Sequence, residues 1–478
     1  MSAGTQDSTV SQPTDQDATY SELPLLRRER IWGFWDYSSV NVGLAIATWA
    51  FLQGGAVAYY VGAKAAIASI VIGYGISVLL VSLAPCLPCG RYGIEQFVSM
   101  RSVLGERGAR VLMVVMSALL AAAWSAVLAI MCGHAMANVS NQVFGTTIDP
   151  GAGVVSVLAV AALVCSWVIV ARGPRSLELV NRFVAPGLVV VTLVMLVLIF
   201  TSTSWSDLAA TPALDPWGDS RLDFMLAVEL NIAGGFAWWP NVGNLSRLTR
   251  TTRAAFWPNA IGLFGASVVA AIVGVFAALA LGSEDPTLWM VPLGGAFLGV
   301  LALAFVGMAN ITSVVAQSYS ALVAIKGGGG SALRRVPWGL LAAMVLAPAA
   351  VLAFFPATVY DNYARFVSWG AIVVAPLCAV QLVDFFVLRR QRLDLRALHL
   401  PFRESRYGFW GGWNPAAIVA IVAGASTYAF LLDPVTYEPR GWFVHLTASL
   451  PAFAVAGALH FGLTRAMLRR DPGWGGYR

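Results

Sequence analysis

The chain is 478 residues long, 58% hydrophobic and only 11% charged, where a soluble domain carries about 25% charged residues. That balance excludes a soluble fold. The net charge of +6 is spread over many short segments, so it does not form the single basic patch that a nucleic-acid backbone would need.

Residues 1–31 form a tail whose first 23 positions are rich in Ser, Thr, Asp and Gln and poor in large apolar side chains, the composition of a disordered segment. It lacks the basic stretch and apolar core of a signal peptide. Twelve apolar runs follow, each close to the roughly 20 residues that cross a bilayer. They lie near 34–60, 65–86, 109–136, 153–171, 180–201, 222–245, 257–281, 292–325, 335–355, 366–388, 413–432 and 444–465. The cations test this count. With the N-terminus inside, 26 of the 30 Lys and Arg fall in cytoplasmic segments, leaving only Lys64, Arg221, Arg365 and Arg440 outside. Every loop then obeys the positive-inside rule. The expected protein is an all-α polytopic membrane protein of the cytoplasmic membrane, with 12 transmembrane helices and both termini in the cytoplasm.

Two spans carry interruptions. Span 1 holds Gly43, Gly54 and Gly55 among polar and small residues, and span 6 holds Gly234-Gly235-Phe236-Ala237-Trp238-Trp239-Pro240-Asn241. Lipid offers no partner to a freed backbone group, so such breaks are tolerated only against protein or a cavity. Paired breaks in the two halves of a chain point to a transporter's binding site. Spans 1 and 6 run in opposite directions, as a 5+5 inverted repeat requires. The expected division is 32–201 for spans 1–5, 202–390 for spans 6–10, a cytoplasmic loop at 391–412, and 413–478 for spans 11 and 12 with the C-terminal tail.

Between the spans, the basic, glycine-rich loop 90–110 has no GxxxxGK[ST] pattern and no preceding strand, so it is not a phosphate loop. Residues 326–335 read as a flexible linker. Five scattered cysteines make no disulfide framework, and Cys86-Leu87-Pro88-Cys89 has redox spacing without a βαβ setting.

Several residues inside the spans have chemistry. In span 8, Ala309, Thr312 and Ser313 share one helical face. A carbonyl and two hydroxyls form a hard-oxygen set suited to Na⁺, and they equally serve as polar glue between helices. Glu229 is an intramembrane carboxylate, hence either a candidate proton site or a helix-to-helix hydrogen bond. Asp384 precedes Arg389 and Arg390 and reads as half of a terminal ion pair. Trp124, Phe236 and Trp238 fall at mid-membrane depth, where flat aromatic faces suit a planar ring. No nucleophile–base pair and no metal cluster is present in the sequence, so neither an enzyme nor a resident cofactor is expected.

From Trp32 to Arg403 the chain resembles the nucleobase:cation symporter-1 family, which has the LeuT-type fold. The resemblance rests on an ordered set of blocks: Gly43–Gly55, Arg91-Tyr92-Gly93-Ile94 through Gly105-Glu106-Arg107-Gly108, Trp124, Gly234-Gly235-Phe236, Ala309–Ser318, Ala375-Pro376 and Asp384–Arg390. It implies a Na⁺ site from the carbonyls of Gly43, Ile46 and Ala309 with the hydroxyls of Thr312 and Ser313. It also implies a heterocycle sandwiched by Trp124 and Phe236, with Gly235 giving close approach. Where the family has amides that read the ring's edge, this chain has Ala47, Leu128 and Ser318; Asn231, Gln317, Asn310, Gln53 and Asn241 are the amides available instead. The expected function is secondary active symport of a nucleobase or related planar nitrogen heterocycle (cytosine, uracil, purine, hydantoin or allantoin type), coupled to Na⁺ or H⁺ by alternating access. The alternative is a LeuT-fold transporter of amino acids or other small solutes, which would present free backbone N–H groups to a carboxylate. Channels need an open pore or charge rings, and neither is evident.

Overall fold

The computed structural model describes residues 24–477 apart from 150, 152, 173, 331, 332 and 334, with the backbone alone for 174–183, 360 and 361. The expected disordered segment, residues 1–23, lies outside the described residues, as do Arg334 and Arg478.

Helices stand at all twelve expected positions. Span 1 is split into Phe34–Ala45 (1a) and Thr48–Tyr60 (1b). Span 2 is Ala63–Tyr92, span 3 covers 106–144, span 4 is Gly153–Val170 and span 5 is Pro174–Ser202. Span 6 comprises Ser220–Phe236 (6a) and Trp239–Ser246 (6b). Span 7 is Thr252–Leu281, span 8 covers 296–328, span 9 is Trp338–Leu352 and span 10 is Tyr363–Leu388. Spans 11 and 12 are Pro415–Leu431 and Ser449–Arg470. Among the described residues, 7 helices are by themselves long and apolar enough to cross a membrane, and the bent pair of span 1 makes an eighth. Spans 6, 9, 11 and 12 are more broken, shorter or more polar. The described residues contain no sheet, only isolated β-bridges such as Trp32 with Thr249.

The repeat is visible in a local device. Spans 3 and 8, the third helix of each half, are each preceded by a short helix (96–104 and 286–294). A single glycine with positive φ makes each joint, Gly105 at 79° and Gly295 at 65°. Glycine tolerates that conformation because it has no Cβ to clash.

Spans 1, 2, 6 and 7 pack together, and spans 3, 4, 8 and 9 form a second group through the long contact of span 3 with span 8. Span 5 lies against 1a and span 8. Small residues set the closest approaches. A Cβ on Gly54 would strike the Ala271 carbonyl of span 7, and one on Gly274 would strike the Phe51 carbonyl of span 1b. Helices in lipid associate through such close packing because no hydrophobic force drives them together.

Three expectations are corrected. Span 1 breaks at Ile46-Ala47, where no glycine stands; the chain bends by 51° and Ala47 is extended at φ −124°, ψ 174°. Gly234-Gly235 is likewise no break, since helix 6a runs through both to Phe236 and the pause at Ala237-Trp238 keeps helical dihedrals. The loop expected at 90–110 is largely helical, with the end of span 2 and the 96–104 helix separated by a left-handed Gly93.

Candidate functional site

The break in span 1 frees backbone groups, and each has an identifiable fate. The Leu44 carbonyl accepts from the Trp49 indole at 3.2 Å. The Gly43 carbonyl accepts from the Ser313 hydroxyl at 3.4 Å. Among the described residues, nothing donates to the carbonyls of Ala45 or Ile46. On the other side of the break, the Thr48 N–H donates to Asn310 Oδ1 at 3.1 Å, while Asn310 Nδ2 donates to Thr48 Oγ1 at 2.6 Å. Asn310 of span 8 thus caps helix 1b from outside, supplying the partner that a helix start lacks.

Next to this break the Thr312 hydroxyl donates to the Ala309 carbonyl at 3.0 Å. Ser313 thus touches the end of 1a at Gly43, the Thr312–Ala309 pair lies on the same stretch of span 8, and Ile46 closes the end of 1a. Every one of these residues is buried or nearly so. The set is all hard oxygen, with no formal charge.

Beside it lies a narrow cavity of about 30 Å³. It is far smaller than the roughly 300–1,000 Å³ of a ligand pocket, so a ring enters only when its walls part. Trp49, Trp124 and Trp238 line it, with Leu44 and Leu128 as apolar filler and Ser313, Asn241 and Gln317 as polar groups. Trp49 is the pivot of the aromatic set, edge-on to Trp238 at 5.1 Å and to Trp124 at 5.9 Å. Phe366 of span 10 backs Trp124 at 5.0 Å. The Gln317 amide donates to Ser125 Oγ at 3.3 Å, leaving its carbonyl oxygen uncommitted. The buried Trp238 indole N–H has no hydrogen-bond partner among the described residues. Buried polar groups left this way cost about 1–3 kcal/mol each, a cost that a bound polar ring edge would remove. A second, smaller space continues from the first past Trp124, Asn241 and Gln317 to Ser117 and Pro240.

The remaining candidates are placed as follows. Trp124, Leu128 and Gln317 line the cavity; Phe236, Gly235, Ala47 and Ser318 do not. Phe236 is 1% exposed and sits in the core. Gly235 faces span 2, where a Cβ would overlap the Ser77 hydroxyl, while Gly234 is the glycine at the cavity. Ser318 is fully buried with its hydroxyl unpartnered among the described residues. Gln53 is engaged by Tyr363 and the Leu230 carbonyl, Asn231 bonds the Ala227 carbonyl, and Asn310 is the cap already described. Glu229 accepts from the backbone N–H groups of Ala448 and Ser449 at 3.1 and 3.0 Å and from the Ser449 hydroxyl at 2.6 Å. It is a carboxylate cap on span 12, favoured by the helix dipole, and it does not line the cavity. Asp384 and Arg389 form a 2.8 Å ion pair. Trp49 and Trp238 were the residues that sequence reasoning underused; their spacing to Trp124 has no signature along the chain.

The chain matches a known family and a known fold. A family model described as permease for cytosine/purines, uracil, thiamine, allantoin matches residues 24–445. Among solved structures, the chain is similar to Mhp1, a nucleobase-cation-symport-1 family transporter, in a closed conformation with bromovinylhydantoin bound. The TM-score is 0.76 at 17% identity over 95% of this chain and 96% of that one. The inward-facing conformation of Mhp1 gives the same TM-score, identity and coverage of this chain, with 94% of that chain covered. A substrate-bound, outward-open Na⁺-coupled sialic acid symporter matches at TM-score 0.57 and 14% identity, over 91% of both chains. No curated protein matches the chain.

Proposed function

Because this chain belongs to the family of permeases for cytosine/purines, uracil, thiamine and allantoin, we propose that it is a symporter importing a planar nitrogen heterocycle with Na⁺. The observation that carries the substrate class is the narrow cavity walled by Trp124 and Trp238 over Trp49, with the Asn241 and Gln317 amides at its polar edge. Indole faces stack on any flat ring, and two primary amides offer the donor and acceptor pairs that a nucleobase, hydantoin or allantoin edge presents.

The ion reading rests on the oxygens of span 8 that face the end of 1a, where Ser313 reaches the Gly43 carbonyl. The carbonyls of Gly43, Ile46 and Ala309 with the hydroxyls of Thr312 and Ser313 would replace the hydration shell of a small hard cation. Three of these ligands belong to span 8 and two to the end of 1a. Na⁺ would therefore tie the two helix groups together beside the heterocycle, and ion binding would favour the arrangement in which the cavity is formed. Glu229, the alternative proton site, is committed to the start of span 12, which supports Na⁺ over H⁺. Alternating access follows from relative motion of the 1/2/6/7 group against the 3/4/8/9 group, each drawn from both halves of the 32–390 repeat. The cation asymmetry of the loops supports a cytoplasmic-membrane location with both termini inside.

The test is a binding screen of purines, pyrimidines, hydantoins and allantoin on the purified transporter, each with and without Na⁺. A hit whose affinity rises with Na⁺ supports the reading. Uniform failure of the rings, with binding of an amino acid, would overturn it.

A further inference from the structure

The arginine-rich face carries a second cavity, remote from the heterocycle site. It is an open cleft between spans 10 and 12 of about 560 Å³. Its polar lining is Arg390, Arg465, Arg469 and Tyr477, and its apolar walls include Val387, Phe461 and Leu468. Among the described residues none of the three guanidinium groups pairs with a carboxylate. Asp384, the nearest acid on span 10, is consumed by Arg389 at 2.8 Å and by the Tyr477 hydroxyl at 2.5 Å. Asp471, just past span 12, accepts from the Gly473 N–H. Among the described residues, three like charges therefore gather around one space without a carboxylate counter-ion.

The cleft is also built. Arg390 and Gln391 both adopt positive φ, 51° and 60°, a conformation unfavourable for residues with a Cβ. The turn is held by neighbours: the Tyr92 hydroxyl donates to the Gln391 carbonyl at 2.8 Å and Arg91 donates to its side chain at 2.9 Å. That pinning sends Arg390 into the cleft instead of continuing span 10. On the facing helix the Arg465 guanidinium sits 5.1 Å from the Phe461 ring centre. Val387 and Phe461 are 53% and 38% exposed, so the apolar walls open outward onto the surface of a membrane-spanning helix pair, where an acyl chain lies.

We propose that this cleft binds one anionic phospholipid, its phosphate held by Arg390, Arg465 and Arg469 and its acyl chain along Val387 and Phe461. Guanidinium groups match phosphate oxygens in charge and fork geometry, and basic pockets between spans on the positive side of a membrane suit anionic head groups. A zwitterionic lipid offers the same phosphate but carries its own cation, so it gains little from three arginines. Because the turn bearing Arg390 is hydrogen-bonded to the end of span 2, an occupied cleft would also brace span 10 against the 1/2/6/7 group.

The experiment uses the full-length protein in detergent doped with phosphatidylglycerol or phosphatidylcholine, or supplied with inorganic phosphate. It reads retained lipid by native mass spectrometry and the thermal unfolding midpoint. Phosphatidylglycerol should be retained as a single adduct and raise the midpoint; the other two should do neither. Each arginine is worth about fivefold in lipid affinity, and the three together about a hundredfold. The triple variant Arg390→Gln/Arg465→Gln/Arg469→Gln should therefore lose the adduct while unfolding normally in phosphatidylcholine. If the triple variant does not fold, Arg465→Gln alone should weaken retention about fivefold. Undiminished phosphatidylglycerol retention in the variants would overturn the proposal. So would equal retention of phosphatidylcholine, or a full midpoint shift with inorganic phosphate alone.

Discussion

Replacing Trp238 by Ala tests which aromatic ring forms the second wall of the cavity. Trp238 lines the cavity and packs edge-on to Trp49 at 5.1 Å, with its indole N–H unpartnered among the described residues. Phe236, two residues earlier, is 1% exposed and absent from the lining. Stacking of a heterocycle on an aromatic side chain is worth about 1–3 kcal/mol by alanine substitution. Trp238→Ala should therefore raise the dissociation constant of the transported ring by roughly 5- to 150-fold. Phe236→Leu keeps apolar volume in a packed core and should cost less than about 1.5 kcal/mol of stability, leaving the dissociation constant within about twofold. The assay is equilibrium binding of the best ligand from the screen to both purified variants, with unfolding midpoints measured on the same samples. Comparable loss of affinity in Phe236→Leu, with Trp238→Ala unaffected, would refute the assignment and return the stacking role to Phe236.

Further outcomes follow from the same geometry. Thr312→Ala with Ser313→Ala removes both hydroxyls from the oxygen set and should abolish Na⁺-stimulated uptake; uptake that still rises with Na⁺ in the double variant would remove the site. Asn310→Ala deletes two hydrogen bonds to Thr48 and leaves a helix start uncapped. It should destabilise the protein by about 1–3 kcal/mol, read as a lower unfolding midpoint in Na⁺-free buffer. Glu229→Gln removes the negative charge at the start of span 12 and replaces the oxygen facing the Ser449 hydroxyl with an amide N–H₂. The midpoint should fall while Na⁺-stimulated uptake persists; loss of uptake at an unchanged midpoint would instead assign Glu229 to ion coupling. Gly235→Ala drives a methyl into Ser77 and should cost about 1–3 kcal/mol by overpacking, measured by thermal unfolding in detergent.

The helical architecture was legible in the sequence because its causes are local. A bilayer demands apolar runs of a fixed length with every backbone group satisfied within the helix, and cations collect on one side. Those constraints act on neighbouring residues, so the positions of the helices and the pairing of spans 1 and 6 emerged without any contact being known. Trp124 was singled out by its depth and the Ala309-Thr312-Ser313 face by its helical spacing, and the structure puts Trp124 and Ser313 on the cavity wall.

The use made of the glycines and aromatic rings was not legible, because neighbours distant in the chain decide it. Gly54 and Gly235 weaken no helix; they admit Ala271 and Ser77. The break in span 1 falls instead at Ile46-Ala47, where Asn310 waits more than 250 residues away to cap the new helix start. Phe236 and Trp238 stand two apart in the sequence, and only the packing of span 6 against spans 2 and 3 turns one into core and the other into a cavity wall. Sequence alone determined that this chain is a multi-pass membrane protein and where its apolar helices fall, since solvent imposes that on each segment separately. Tertiary structure decided which of its polar and aromatic groups share a site, since that depends on which helices lose their solvent to one another.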